Sequence, residues 1–227
     1  MIPYDVVTFD CYGTLIDWES GIGEASARAA SDEGLAIDRA QFLAAYAEIE
    51  SRVEREPYRS YRATLATTAA RAAQRCGWPL EESRATFLPD SLPSWPPFPD
   101  TNPALSRLAA AGVRLGILSN VDEDLLSATL LRLPAPFELI VTAESVRSYK
   151  PAHAHFLEAR ARVGPEARWL HAAQSYFHDV LPCRELGIPV AWINRKAEAP
   201  GGAGAPDREF RDLTGFTDWL LDSRRPS

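Results

Sequence analysis

Cysteine is scarce in this 227-residue chain: Cys11, Cys76 and Cys183 stand far apart, with no CxxC pair and no zinc-ligand spacing. A disulfide framework is therefore not expected. Positive charge is also in deficit, with 24 Lys and Arg against 31 Asp and Glu, a net charge of -7 and a pI near 5.2. A nucleic-acid partner needs clustered cations against its phosphates, so that class is set aside. A small anionic ligand needs only a local cationic pocket and stays open. The Ala-rich segments are studded with Arg and Glu, and no apolar run reaches membrane-spanning length. The opening MIPYDVVTFD lacks the basic start and long apolar run of a secretory signal. The expectation is a cytoplasmic protein with no nucleic-acid and no membrane partner.

What is present is a core. Hydrophobic residues make up 46% of the chain and aromatics 10%, which is the composition of a globular protein. Five short apolar runs read as buried strands: VVTF (6–9), VRLGILS (113–119), LIVT (139–142), WLHAA (169–173) and VAWI (190–193). None alternates strictly with polar residues, as befits strands covered on both faces of a parallel sheet. Helical patterns at 102–112, 122–133 and 151–164 separate them, and the first and third end on glycine. Strand and helix in alternation predict an α/β fold with a doubly wound parallel sheet.

Between the first two strands the alternation stops. Residues 18–88 offer helix-like segments at 22–33, 38–56, 58–77 and 80–88 and no strand. A crossover of that length exceeds what a strand–helix–strand unit needs, so it reads as an inserted helical domain. The expected division is a core of residues 1–17 and 90–227 with a helical domain at 18–89. The proline-crowded stretch 88–103 reads as a stiff linker, and 198–207 as a surface loop.

Ligands of an open parallel sheet bind beyond the carboxyl ends of its strands. Asp10 follows the first strand, with Thr14 four positions on. Ser119 and Asn120 close the second, Lys150 follows the third, and Gln174, Ser175, Tyr176, His178 and Asp179 follow the fourth. Each has a plain alternative as a turn former, helix cap or solvated charge. Their conjunction on successive strand ends is what links them.

In that order the residues resemble the motifs of the haloacid dehalogenase superfamily. Asp10 through Thr14 in FDCYGTL is similar to its first motif, LSN (118–120) to the second, Lys150 in YKP to the third, and Asp179 in QSYFHD to the last acidic position of the fourth. Tyr12, SYKP and WINR (192–195) are most similar to the (S)-2-haloacid dehalogenase branch. The resemblance implies a Rossmann-like core with a helical cap domain, and a hydrolase that removes halide from short (S)-2-haloalkanoic acids. Asp10 would attack the carbon beside the carboxylate and form an ester. Water oriented by Asp179 would then hydrolyse it, with Lys150 holding Asp10 ionised and Thr14 positioning it. Ser119 and the backbone amides of Cys11, Tyr12 and Asn120 would grip the substrate carboxylate, with Ser175, Tyr176 and Tyr46 as further contacts. Homodimers are common among such relatives.

Two departures bear on the chemistry. Phosphatases of the superfamily carry a second Asp where this chain has Tyr12, and it protonates a leaving alkoxide. Halide needs no such proton. Magnesium-dependent members ligate the metal through an Asp where this chain has Gln174, and a neutral amide is a weaker ligand. No cofactor is expected: magnesium is compatible but not required, and no metal ligand is assigned. Two further departures leave the leaving group open. Gln174 and Tyr176 replace a Ser and an Asn, and no arginine stands at the register of Tyr46, though Arg52, Arg55, Arg59 and Arg62 lie nearby. The alternative is opening of a cyclic amino acid at its carbon–nitrogen bond by the same attack. The aromatic residues Tyr12, Trp18, Tyr46 and Tyr176 suit a cationic ring. Phosphatase activity and a non-catalytic binding protein complete the alternatives.

Overall fold

A computed structural model describes residues 3–202 and 204–222. It divides into two compact units: one joins the chain up to Ile16 with Pro97–Asn120 and the stretch from Leu133 onward, and the other joins Asp17–Pro96 with Val121–Arg132.

The first unit is the α/β core. Its six strands are β1 (Val6–Phe9), β2 (Arg114–Ser119), β3 (Phe137–Thr142), β4 (Trp169–Ala173), β5 (Val190–Ile193) and β6 (Arg208–Phe210). They form one parallel sheet in the order β3-β2-β1-β4-β5-β6. Every residue of β1, β4 and β5 is buried, which explains why these segments carry no polar alternation. β1 lies between β2 and β4, so the strand order reverses direction there. That reversal opens a crevice at the carboxyl end of β1. Leu118, Val141, Phe156, Trp169 and Trp192 belong to one continuous core cluster.

The five strands read from sequence are all present, within two residues at their ends. The three-residue β6 has no apolar run to mark it in the sequence, because Arg208 and Glu209 are exposed. The 198–207 loop is pinned where the Tyr176 hydroxyl donates to Gly204 O at 2.7 Å.

The second unit is helical, as the strand-free stretch predicts. It contains α1 (Trp18–Asp32), α2 (Arg39–Val53), α3 (Tyr61–Arg75) and α4 (Phe87–Ser91). Asp17, Asp38 and Ser60 cap the first three through their side chains. The proline-rich stretch is only partly a linker: its first half forms α4 and a short 3-10 turn at Leu92–Ser94, and Trp95 is buried.

The unit also takes in residues 121–132, outside the single 18–89 insertion. α5 (Thr101–Ala110) precedes β2, and α6 (Glu123–Leu130) follows it. Asp122 stands at the N-cap of α6 but does not cap it. Its buried carboxylate instead accepts from Tyr61 N at 2.7 Å and Arg62 N at 2.8 Å, two first-turn amides of α3. Arg62 pairs with Asp124, and Arg132 Nε donates to Pro93 O. Among the described residues, no helix is long and apolar enough to cross a membrane.

Asp122→Ala strips two α3 amides of their acceptor and is expected to cost about 1–2 kcal/mol of stability. Urea denaturation monitored by circular dichroism measures it; an unchanged midpoint would refute the capping role.

Candidate active site

β1 ends by delivering Asp10 into the crevice, and the loop that follows fixes it. Gly13, with φ of 99°, makes a turn that a side chain would resist. Leu15 N and Ile16 N both donate to Cys11 O. The turn carries Thr14 back so that its hydroxyl donates to Asp10 Oδ2 at 2.8 Å and accepts from Gln174 N at 2.9 Å. Arg195, just after β5, holds the same loop: Nη2 donates to Thr14 O at 2.8 Å while the guanidinium pairs with Asp100 and lies over the Phe98 ring.

Lys150 arrives from the segment after β3. Thr142 and Ser145 form a reciprocal cap on the short α7 (Ala143–Val146), and the chain then turns through Arg147 at φ of 52°. The side chain of Asn120 clamps the lysine's backbone, its Oδ1 accepting from Lys150 N at 2.7 Å and its Nδ2 donating to Lys150 O at 3.1 Å. Lys150 is 1% exposed. Its ammonium donates to Asp10 Oδ1 at 2.9 Å, Asp179 Oδ1 at 2.7 Å and Leu118 O at 2.9 Å. Three donors meet three acceptors, so the buried charge is fully satisfied.

Asp179 reaches this point through a single π-helical turn, Tyr176–Val180, in which Val180 N bonds back to Ser175 O. Its Oδ1 also receives His171 Nε2 at 3.0 Å, whereas the buried Oδ2 has no partner.

Two carboxylates and one ammonium thus share a buried site. Burial pushes the Asp10 carboxyl above its ordinary value, and the nearby Asp179 charge adds to this against the pull of Lys150. Burial opposes ionisation of Asp179 too, but Lys150 and His171 outweigh it and hold that carboxyl well below its usual range. Burial likewise disfavours the lysine's charge, yet the two carboxylates raise its affinity for the proton. Asp10 is therefore the reluctant anion of the pair, and Asp179 the settled one.

The remaining expected residues are distributed differently. Ser119 is buried and its Oγ has no partner, a donor left over at the rim. Cys11 is buried, and burial, with the Asp10 charge beside it, pushes its thiol up and disfavours the thiolate. Tyr12 is half-buried beside it. Ser175 caps the π-helical turn, with its Oγ on His178 N and Nδ1. Tyr176 belongs to the core cluster, edge-on to Trp192, and its hydroxyl goes to the 198–207 loop rather than to Asp10. Both residues, expected as substrate contacts, thus make hydrogen bonds within the protein.

Tyr46 lies in the helical unit, fully buried between Trp18 and Phe42, with its hydroxyl on Glu50 Oε1 at 3.1 Å. In the same unit Arg52 pairs with Glu48, Arg59 with Glu56, and Arg62 with Asp90 and Asp124.

Thr8, His155, His171, Trp169 and Arg195 are not among the expected site residues. His155 Nε2 donates to Ser119 O at 3.1 Å, and burial, with Lys150 nearby, lowers its pKa to about 3, so the ring is neutral. A histidine inside an all-buried strand was the one available signal for His171.

Among the described residues, no cluster of three or more His, Cys, Asp or Glu side chains could hold a metal ion. At the crevice the two carboxylates already share an ammonium, and Gln174 offers no third one.

A sequence profile of haloacid dehalogenase-like hydrolases matches residues 4–171. (S)-2-Haloacid dehalogenase H-109 of Pseudomonas putida is 30% identical over 228 residues, covering 98% of this chain and 100% of its own. The crystal structure of the L-2-haloacid dehalogenase RSc1362 superposes with a TM-score of 0.83 at 23% identity, over 96% of this chain and 99% of that one. The L-2-haloacid dehalogenase of Xanthobacter autotrophicus gives 0.81 at 20%, over 99% and 100%. These two structural likenesses carry the fold.

Lys150→Met leaves two buried carboxylates without their shared cation, an expected loss of about 3–5 kcal/mol at pH 7. The single carboxylate variants should diverge. A depressed carboxyl contributes stability above its unfolded pKa and a raised one withdraws it there, so Asp179→Asn destabilises at pH 7 while Asp10→Asn stabilises. Urea midpoints of the three variants check this; equal losses at positions 10 and 179 would contradict it.

Proposed function

The chain belongs to the haloacid dehalogenase-like hydrolases, and from that membership we propose that it hydrolyses the carbon–halogen bond of short (S)-2-haloalkanoic acids through an ester on Asp10. The observation that carries this reading is the Asp10–Lys150–Asp179 cluster at the sheet's reversal point.

An Asp10 oxygen attacks the carbon bearing halogen, the new carbon–oxygen bond forms from the side opposite the halogen, and halide departs with the bonding pair. Lys150 and Thr14 each occupy one lone pair of the carboxylate, which leaves lone pairs free on both oxygens. Water then adds to the ester carbonyl of Asp10, giving up a proton to Asp179. The bond between the Asp10 carbonyl and the substrate oxygen breaks, and that oxygen takes the proton to leave as a 2-hydroxy acid. The Asp10 acid so formed releases its own proton to solvent. The balance is one water consumed, with halide and one proton released.

The substrate carboxylate is assigned to the unpartnered Ser119 Oγ and the neighbouring backbone. No metal is assigned. The donor set at the crevice does not suit one, since Lys150 already supplies the cation between the carboxylates. Tyr12 stands where a phosphatase needs a general acid worth roughly 100- to 10,000-fold, and a halide leaving group needs none.

The purified protein in EDTA is expected to release chloride from (S)-2-chloropropionate, with Asp10→Asn inactive. No release by the wild type, or undiminished release by the variant, would end this reading. Because Asp10 attacks as the anion and its carboxyl is raised, kcat/KM should fall with acid through a midpoint above that of a free aspartate, about 3.9. A pH–rate profile flat down to pH 4 would contradict that assignment.

A further inference from the structure

A second buried chain runs from the sheet into Asp179. Trp169 Nε1 meets Thr8 Oγ1 at 2.8 Å, Thr8 Oγ1 meets His171 Nδ1 at 2.8 Å, and His171 Nε2 meets Asp179 Oδ1 at 3.0 Å. Strand register builds it: Thr8 of β1 is the direct partner of His171 in β4, and Trp169 lies two residues earlier on the same face. On the other side Thr8 pairs with Gly116 of β2, where an added Cβ would come within 3.0 Å of Thr8 Cγ2. The His171 ring is wholly buried, with Phe156 against it edge-on.

The protons in this chain can be placed by counting. An indole N–H only donates, so Thr8 Oγ1 accepts from Trp169 and retains one proton to give. Its remaining partner is His171 Nδ1, which must then be an acceptor. A neutral ring therefore carries its proton on Nε2, facing Asp179. The opposite tautomer would aim a lone pair at an ionised carboxylate and strand the Thr8 proton.

His171 and Lys150 both hold Asp179 Oδ1, and Oδ2 is left buried without a partner. The ammonium of a lysine is a rotatable point charge, which either oxygen of a carboxylate satisfies equally well. The imidazole N–H lies in a fixed plane and selects one oxygen.

We propose that His171 is a positioning residue for the water-consuming half of the reaction: its Nε2–H, held in that tautomer by Thr8, fixes the Asp179 carboxylate so that Oδ2 is the acceptor for the hydrolytic water. The inference rests on the ester reading above and adds a division of labour to it. Halide expulsion needs Asp10 and Lys150. Ester hydrolysis needs the His171-fixed Asp179 as well.

The test compares His171→Leu, which removes the donor, with His171→Gln, whose side-chain amide restores one. Rapid-quench measurement with (S)-2-chloropropionate separates the halide burst from steady turnover, and mass spectrometry reads the ester on the Asp10 peptide. For the leucine variant the burst stays near one halide per chain, the ester accumulates, and steady turnover falls about 10- to 100-fold. The glutamine variant returns to within about 5-fold of wild type and accumulates little ester. If His171→Leu does not fold, Thr8→Val keeps the ring but releases its tautomer, and the same ester accumulation is expected.

Equal slowing of burst and turnover with no ester overturns the inference, as does a leucine variant that turns over like wild type. A folded glutamine variant as slow as the leucine one does so too. In each of these cases the wild type still turns over, and the proposed function stands. A wild type that releases no halide overturns the proposed function itself, and this inference with it.

Discussion

The ammonium of Lys150 is buried between two carboxylates, and the active-site end of the core is organised around keeping it there. A charge so enclosed is tolerated only when every proton it carries has an acceptor. Asp10, Asp179 and Leu118 O supply three, one from each of three different strand ends. The lysine therefore ties together β1, β2 and the segment after β4 with charge-assisted bonds, and Asn120 holds its backbone in return. Loss of the lysine would leave two buried anions without their shared cation.

The sheet order explains why these groups can meet. A chain that winds outward from β1 in both directions brings the ends of β2 and β4 against the same residue, Asp10. Local devices then aim each side chain: the Gly13 turn for Thr14, the left-handed Arg147 for Lys150, the π-helical turn for Asp179. The π turn has a second effect. Its extra residue per turn advances Asp179 into the crevice while sending Tyr176 to the core.

That turn marks the limit of what could be read from the sequence. Asp10, Thr14, Ser119, Lys150 and Asp179 were legible because each follows a buried run at a predictable place, and the five main strands were legible for the same reason. The core's polar partnerships were not. Thr8 and His171 are 163 positions apart and meet through a β1–β4 register that neither local sequence encodes. Arg195 and Asp100 pair across 95 positions. Counting from the strand end gives no sign of the π-helical turn, in which Ser175 Oγ accepts from His178 N and the Tyr176 hydroxyl donates to Gly204 O. Asp122 precedes α6, yet its carboxylate is taken by the amides of α3, 60 and 61 positions away.

On the proposed chemistry the charge balance of the cluster gives each half of the reaction a different character. With all three groups ionised the site holds one net negative charge, and burial places most of that discomfort on Asp10. Attack on a haloacid converts Asp10 to a neutral ester and sends the negative charge away on halide. What remains is Lys150 and Asp179, one cation and one anion in contact at 2.7 Å. The burial that makes Asp10 an unwilling anion therefore favours esterification. Hydrolysis runs the other way, because it returns an ionised Asp10 to a buried position. Assistance to water is needed in that half, and Asp179 is the carboxylate that two donors hold ionised with one oxygen free.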